Sequence, residues 1–282
     1  MPLHCRMPWH ATLDLRYRRD GPRTTLRHRH DGPLRILKSL YPEGEGVCHN
    51  VIVHPPGGLV GGDTLDITAH AEAGAHALIS TPGATRFYRS DGPEAAQRVR
   101  LRVAEGARLE WLPLETIAYP QCQARNALTL DIAPGGECLG WDVCALGLPA
   151  AGQGFTQGTL LQELQWPGVW LERARLDAGD TRLLDSPLGL AGQRTLGTLW
   201  LASGEPWPSA RREALLDSVR LALAGASPEV RTGATCPDPR LLLVRALGPQ
   251  VEPLMAVLQR AWAALREQAW ALSGTAPRIW RV

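Results

Sequence analysis

"QRVRLRVAEGARLEWL", residues 97–112, decides the fold class. Val99, Leu101 and Val103 alternate with Arg98, Arg100 and Arg102. A period of two buries one face of a strand and leaves the other wet. "AEGA" (104–107) is turn chemistry, and "RLEWL" (108–112) resumes as a second strand. The plan recurs along the chain. "TLDITAH" (64–70) turns through "EAGA" into "HALIST" (76–81), and "ALTLDI" (127–132) turns through "APGGE" into "CLGWDV" (138–143). "LLQELQW" (160–166) turns at "PG" into "VWLERARL" (169–176). The turn glycines, Gly74, Gly106, Gly135 or Gly136, and Gly168, fall roughly thirty residues apart, and Gly44 extends the series backward. The expectation is a mainly β chain of stacked hairpin sheets, hence a sandwich or a β-helix-like solenoid, with a β-sandwich lacking any true repeat as the rival.

The C-terminal third reads differently. Ser209 is a candidate N-cap for a helix through "ARREALLDSVRLALAG", ending near Gly225. "RLLLVRAL" (240–247) reads as one more buried strand. A long amphipathic helix follows from about Pro249. Its apolar stripe is Val251, Leu254, Met255, Leu258, Trp262, Leu265 and Ala269, with Arg260, Arg266 and Glu267 off it. No linker composition separates the parts. Residues 1–282 are therefore expected to form one domain, β-rich over 1–205, with a small helical part of about two helices over 206–282 packed on it.

Composition excludes several classes. Lys plus Arg number 30 against 28 Asp plus Glu, too balanced to provide a general field for nucleic acid or an anionic membrane. The N-terminus lacks the apolar core of a signal peptide, and no apolar run approaches a membrane span, so a soluble cytoplasmic protein is expected. Cys5, Cys48, Cys122, Cys138, Cys144 and Cys236 form no C-x-x-C pair and are read as reduced, mostly small apolar fillers.

The most unusual short stretch is "HPPGGLVGGDTLDI" (54–67), with Gly57, Gly58, Gly61 and Gly62 ahead of Asp63. A phosphate loop would need a lysine and a following helix; here an acid and a strand pattern follow. The stretch is a tight turn presenting an acid. All eight histidines lie within the first 76 residues. "HRH" at 28–30 matches H-x-H superficially, but later histidines that would complete a hydrolase centre do not exist. His49 and His54 fall on opposite faces of an extended strand. The carboxylates Asp63, Asp142, Glu163 and Glu172 are better candidates for chemistry. They are either rim or arginine-paired acids, or the lining of an internal polar route for a cation. The residues alone leave that choice open.

"HPPGGLVGGD", "STPGATRFYRS" (80–90), "LEWLPLETI" (109–117) and "LGWDVCALG" (139–147), in this order and spacing, resemble the UreD (UreH) urease accessory protein family from about Gly32 to near the C-terminus. The resemblance implies a β-helix-like fold, which resolves the repeat question toward a solenoid, and a maturation factor that is not itself an enzyme. Its partners would be UreF, the GTPase UreG and apo-urease, without nucleic acid or membrane. No cofactor would be permanently bound; nickel would pass transiently through an internal passage. On that resemblance Asp63, Asp142 and, through a weaker motif, Glu172 match acids on the passage, and Thr85 matches a small polar position beside it. Leu148, where many relatives have Arg, and Leu114, where they often have Gln, depart from the pattern. Two other functions compete: a metal-dependent hydrolase using His28, His30, His49 and His54, and a pure binding scaffold docking through Trp262 and Trp270 of the long helix.

Overall fold

The computed structural model describes residues 8–281, so Cys5 and His4 lie outside the described residues. The chain opens with an antiparallel hairpin, β1 (His10–Asp20) and β2 (Arg23–Asp31), and a short β3 (Arg35–Ile36) pairs antiparallel with β4 (Val47–Val53). The winding then begins: β5 (Thr64–Ala71), β6 (His76–Ser80), β7 (Thr85–Phe87), β8 (Ala95–Val103), β9 (Arg108–Leu112), β10 (Thr116–Ala118), β11 (Cys122–Ile132) and β12 (Glu137–Leu148). β13 (Gln153–Gly154), β14 (Gly158–Trp166), β15 (Trp170–Asp177), the short helix α1 (Thr181–Asp185) and β16 (Thr195–Ser203) follow. The rest is α2 (Ser209–Ala224), β17 (Arg231–Asp238), β18 (Leu241–Gly248), α3 (Val251–Trp270) and a terminal 3-10 turn, Arg278–Arg281.

Two sheets result. One has the order β15-β14-β11-β8-β5-β1-β2; the other follows β17-β18-β16-β12-β9-β6-β4-β3, with β7, β10 and β13 beside it. Within the winding the neighbours are parallel: β5 with β8, β8 with β11 and β11 with β14 in the first sheet, and β4 with β6, β6 with β9 and β9 with β12 in the second. This is a β-solenoid, and it corrects the hairpin reading. The "EAGA", "AEGA" and "APGGE" turns do not fold a strand back onto itself. Each carries the chain across from one sheet to the other, and hydrogen-bonded pairing waits for the next coil. Corners stack as the strands do: the Gly74 N–H donates to Glu105 O and the Gly106 N–H to Gly135 O, both at 3.2 Å. Gly106 sits at φ +64°, in the left-handed region that favours glycine. Only the "PG" turn closes a true hairpin of the expected kind, β14 with β15.

Alternation explains which side chains go where. Leu65 and Ile67, Val99 and Leu101, and Leu128 and Leu130 face inward, forming one core between the sheets. The outer face of the second sheet carries Leu78, Leu112, Leu139, Trp141 and Val143, which α2 and α3 cover as a second core. A sheet apolar on both faces must be covered on both, and β12 is accordingly buried along almost its whole length. In α3, Leu254, Leu258 and Leu265 are fully buried, and each contributes about 1.5–3 kcal/mol.

Four details differ from the sequence reading. Ser209 is the first helical residue rather than the cap; Pro208 occupies the cap position without a side-chain hydrogen bond, its ring already holding φ at −53°. The strand expected at 240–247 is β18, but β17 beside it was not anticipated, and the two extend the second sheet between α2 and α3. α1 was not anticipated; Asp180 caps it, its carboxylate accepting from Leu183 N–H at 3.0 Å. Arg266 is fully buried rather than off the stripe, for the reason given next.

Candidate functional site

Two buried polar groups stand on opposite faces of the second sheet. On the helix side, Glu110 of β9 is fully buried. Its carboxylate accepts from His76 Nε2 at 2.8 Å, Trp262 Nε1 at 2.7 Å and Arg266 Nε at 3.2 Å. Arg266 also donates to both oxygens of Glu43, at 2.8 and 3.1 Å, and His49 Nε2 meets Glu43 at 2.6 Å. Burial pushes Glu110 up, but the His76 hydrogen bond and the Arg266 charge outweigh it and hold it below the ordinary carboxylate range. Glu43 is held down to about 2 in the same way, His49 and Arg266 overcoming the effect of burial. Glu137 repeats the device, accepting from Trp270 Nε1 at 2.7 Å and from Arg211 at 2.8 Å.

This cluster accounts for the tryptophans of α3. Trp262 and Trp270 are buried with their indole N–H groups bound to Glu110 and Glu137. They fix the helix to its own sheet, which removes them as a docking face. The hydrolase reading fails on geometry. His28 and His30 stack on each other along the exposed strand β2, His49 lies beneath α3, and His54 faces the interior. Among the described residues no three His, Cys, Asp or Glu side chains group as a metal-holding cluster. Of the described cysteines, Cys48, Cys122, Cys138 and Cys144 are buried and Cys236 half-buried, all as free thiols.

The second polar group lies between the sheets. A cavity of about 210 Å³ is lined by His54, Gly57, Thr85, Gln97, Trp111 and Pro113, among others. Thr85, Gln97, Trp111 and Pro113 also line a waist of about 10 Å³, together with Leu114, Asn126 and Asp142. Asp142 in turn borders a third cavity of about 400 Å³, with Gln162, Glu172, Thr198 and Arg245. Shared walls thus run from the glycine loop through Asp142 to Glu172. Asp142 accepts from Asn126 Nδ2 at 2.8 Å and from Gln162 Nε2. Burial and the neighbouring Glu172 charge push its carboxyl up to about 7, against the pull of Asn126. Glu172 is ion-paired to Arg245 through Oε1, while its buried Oε2 has no hydrogen-bond partner.

Asp63 is placed differently. It is 1% exposed, and its oxygens accept from the backbone N–H of Trp9 at 3.2 Å and of Val60 at 3.1 Å. It lines none of these three cavities. Its role in the structure is to close the glycine loop, which packs against "STPGATRFYRS" through the Leu59–Phe87 bridge. The glycines allow that approach: a Cβ on Gly58 would lie 2.9 Å from Arg86 O, and one on Gly61 2.9 Å from Pro93 O. Beside the loop, burial lowers the His54 imidazole pKa, opposed by the charge of Asp63. Glu163 is paired with Arg173 at 2.6 Å on the outer face. Leu114 borders the waist, whereas Leu148 ends β12, opposite Gln153.

Gln97, Asn126 and Gln162 were not singled out in the sequence, yet a signal was present. Each occupies an apolar phase of its strand, in step with Val99, Leu128 and Leu164 respectively. An amide in that phase points between the sheets.

These features define a class: a helix-backed β-solenoid with its unsatisfied polar chemistry along the interior. Comparison with known proteins then fixes the family. Residues 10–281 match the family model described as UreD urease accessory protein. Proteins named urease accessory protein UreD from Paracidovorax citrulli and Albidiferax ferrireducens are each 57% identical over 274 residues, covering 97% of this chain and 99% of theirs. One from Leptothrix cholodnii is 54% identical over 277 residues, covering 98% of this chain and all of its own length. The chain belongs to the UreD urease accessory protein family. Among the described residues no helix is long and apolar enough to cross a membrane.

Proposed function

We propose that this chain is a non-catalytic urease maturation factor that conducts nickel through its interior to apo-urease, acting in a cytoplasmic complex with UreF and UreG. One observation carries the reading: Asp142 and Glu172 border one cavity, with Asp142 held half-protonated near neutrality and Glu172 keeping a buried oxygen without a partner. A divalent cation here would relieve the repulsion Asp142 feels from Glu172, whose other oxygen is paired with Arg245, and would take the place of the Asp142 proton. Oxygen donors hold nickel less firmly than imidazole or thiolate, which suits a route that must release its cargo. Thr85 would stand at the junction of the first cavity and the waist. Asp63, with its oxygens engaged by backbone donors, would shape the mouth by holding the glycine loop and would act on the ion only through its charge. Nickel is cargo here, so no permanent cofactor is required.

The test is urease activation in a host carrying urease and all other accessory genes, with and without this chain. Activation only with the chain supports the maturation role, and equal activation without it would sink that role.

A further inference from the structure

We propose that the side-chain amides of Gln97, Asn126 and Gln162 are ligand residues of the interior route, turning their carbonyl oxygens to a divalent cation as it sheds water at the waist. This rests on the nickel-passage reading and goes beyond it, since that reading assigns only the acids and Thr85.

Parallel register builds the file. Gln97 of β8 is the direct partner of Asn126 of β11, and Asn126 is the direct partner of Gln162 of β14. Three amides therefore stand in one row on the inner face of the first sheet, opposite Asp142 on the second. Gln97 Nε2 donates to Asn126 Oδ1 at 3.2 Å, Asn126 Nδ2 donates to Asp142 Oδ2 at 2.8 Å, and Gln162 Nε2 donates to Asp142 Oδ1. Each oxygen of Asp142 is thus held by an amide donor.

The waist dictates what a cation meets there. About 10 Å³ is room for about one water molecule. A divalent ion cannot carry its full hydration shell through, and protein oxygens must take the place of the waters it loses. Asp142 supplies one oxygen, and Thr85 stands alongside. Thr116 adds one further hydroxyl, and the other walls, Val99, Trp111, Pro113, Leu114, Leu128 and Val143, carry no side-chain oxygen. The remaining donors within the file are the amides. The nitrogens of Asn126 and Gln162 face Asp142, whose carboxylate oxygens accept, while that of Gln97 faces Asn126 Oδ1. The terminal amide torsion is broad and roughly two-fold, so turning it over exchanges N–H for C=O without moving the backbone. A cation at Asp142 replaces the hydrogen bonds that the turned amides give up. Asn126 holds the central place, because it alone bonds both to Asp142 and to another amide of the file.

The alternative is that the row only ties the coils together. Two variants of Asn126 and one blocking variant separate the cases. All are made in the full chain, in a host carrying urease and the remaining accessory genes, and scored where the chain still co-purifies with its partners. Asn126→Leu removes the oxygen at similar size, and the expected result is urease activation lowered by about ten-fold or more. Asn126→Asp supplies a stronger oxygen donor. The purified chain loaded with nickel chloride and desalted is then expected to keep more nickel than the wild type, while its activation falls. Wild-type activation by Asn126→Leu overturns the proposal. So does Asn126→Asp chain that keeps no more nickel than the wild type, and that measurement decides alone if Asn126→Leu does not fold. Thr85→Trp tests the underlying route. If it abolishes activation while Asn126→Leu activates normally, the passage stands and the amide assignment falls; if it activates fully, both fall.

Discussion

Glu110 and Asp142 lie on opposite faces of one sheet, both buried, and their surroundings treat them in opposite ways. Glu110 meets an arginine, an indole N–H and a histidine, and is held as a carboxylate. Asp142 meets only neutral amides and the charge of Glu172, and is pushed toward its protonated form. The first arrangement is complete: α3 supplies the countercharge, and the helix is fastened to the solenoid. In the second, Arg245 pairs with Glu172 and not with Asp142, and both acids border a cavity. An acid held by its own cation is architecture, whereas Asp142, with no cation paired to it among the described residues, is open to one.

The largest effect that would break this contrast comes from the helix side. Arg266→Met removes the countercharge from Glu43 and Glu110, and a loss of about 3–5 kcal/mol is expected from urea unfolding. A loss near zero would mean that Glu110 is not held as a carboxylate. Asp142→Asn is expected to act in the opposite direction. Its folded-state pKa of about 7 lies above the ordinary 3.8, so its contribution is full below the ordinary value and is lost as pH rises to about 7. At pH 8 the variant should be more stable than wild type by roughly 2–4 kcal/mol, the advantage vanishing by about pH 4. The sign reverses for Glu43, held down to about 2 from 4.5. Its contribution is full above 4.5 and lost as pH falls toward 2, so Glu43→Gln should cost about 2 kcal/mol at neutral pH and little at pH 2, reduced by the partial exposure of the pair. The smallest effect is Asp63→Asn, which weakens acceptance from Trp9 and Val60 N–H for about 1–2 kcal/mol in thermal unfolding.

The sequence shows one of these sites better than the other. Asp142 stands out as an acid inside "LGWDVCAL", and alternation assigns it to a sheet. Arg266 reads as a solvent residue because its partners Glu110 and Glu43 lie 156 and 223 residues away, and no local pattern joins them. The corners were read as hairpins for a related reason. A glycine turn between two alternating segments has the same chemistry whether the second strand pairs with the first or crosses to another sheet. What separates the two is register with the following coil, a contact made about thirty residues later. The roughly thirty-residue spacing of the turn glycines carried part of that information but left a sandwich open, and the family resemblance turned the reading toward a solenoid. The amide file was legible in principle, as polar residues in the apolar phase of β8, β11 and β14, but one such residue also occurs in any strand whose inner face meets a loop. Three in register become visible only when the coils are stacked. The Asp63 motif showed the opposite limit: its four glycines announce a site, yet the acid they present is spent on backbone N–H groups.

The most direct test of the interior route is the nickel content of urease purified from hosts carrying either wild-type chain or Thr85→Trp, compared at equal recovery of the accessory complex. A route through the interior predicts nickel-poor, inactive urease with Thr85→Trp and nickel-replete urease with the wild type. Equal nickel content in the two would contradict it.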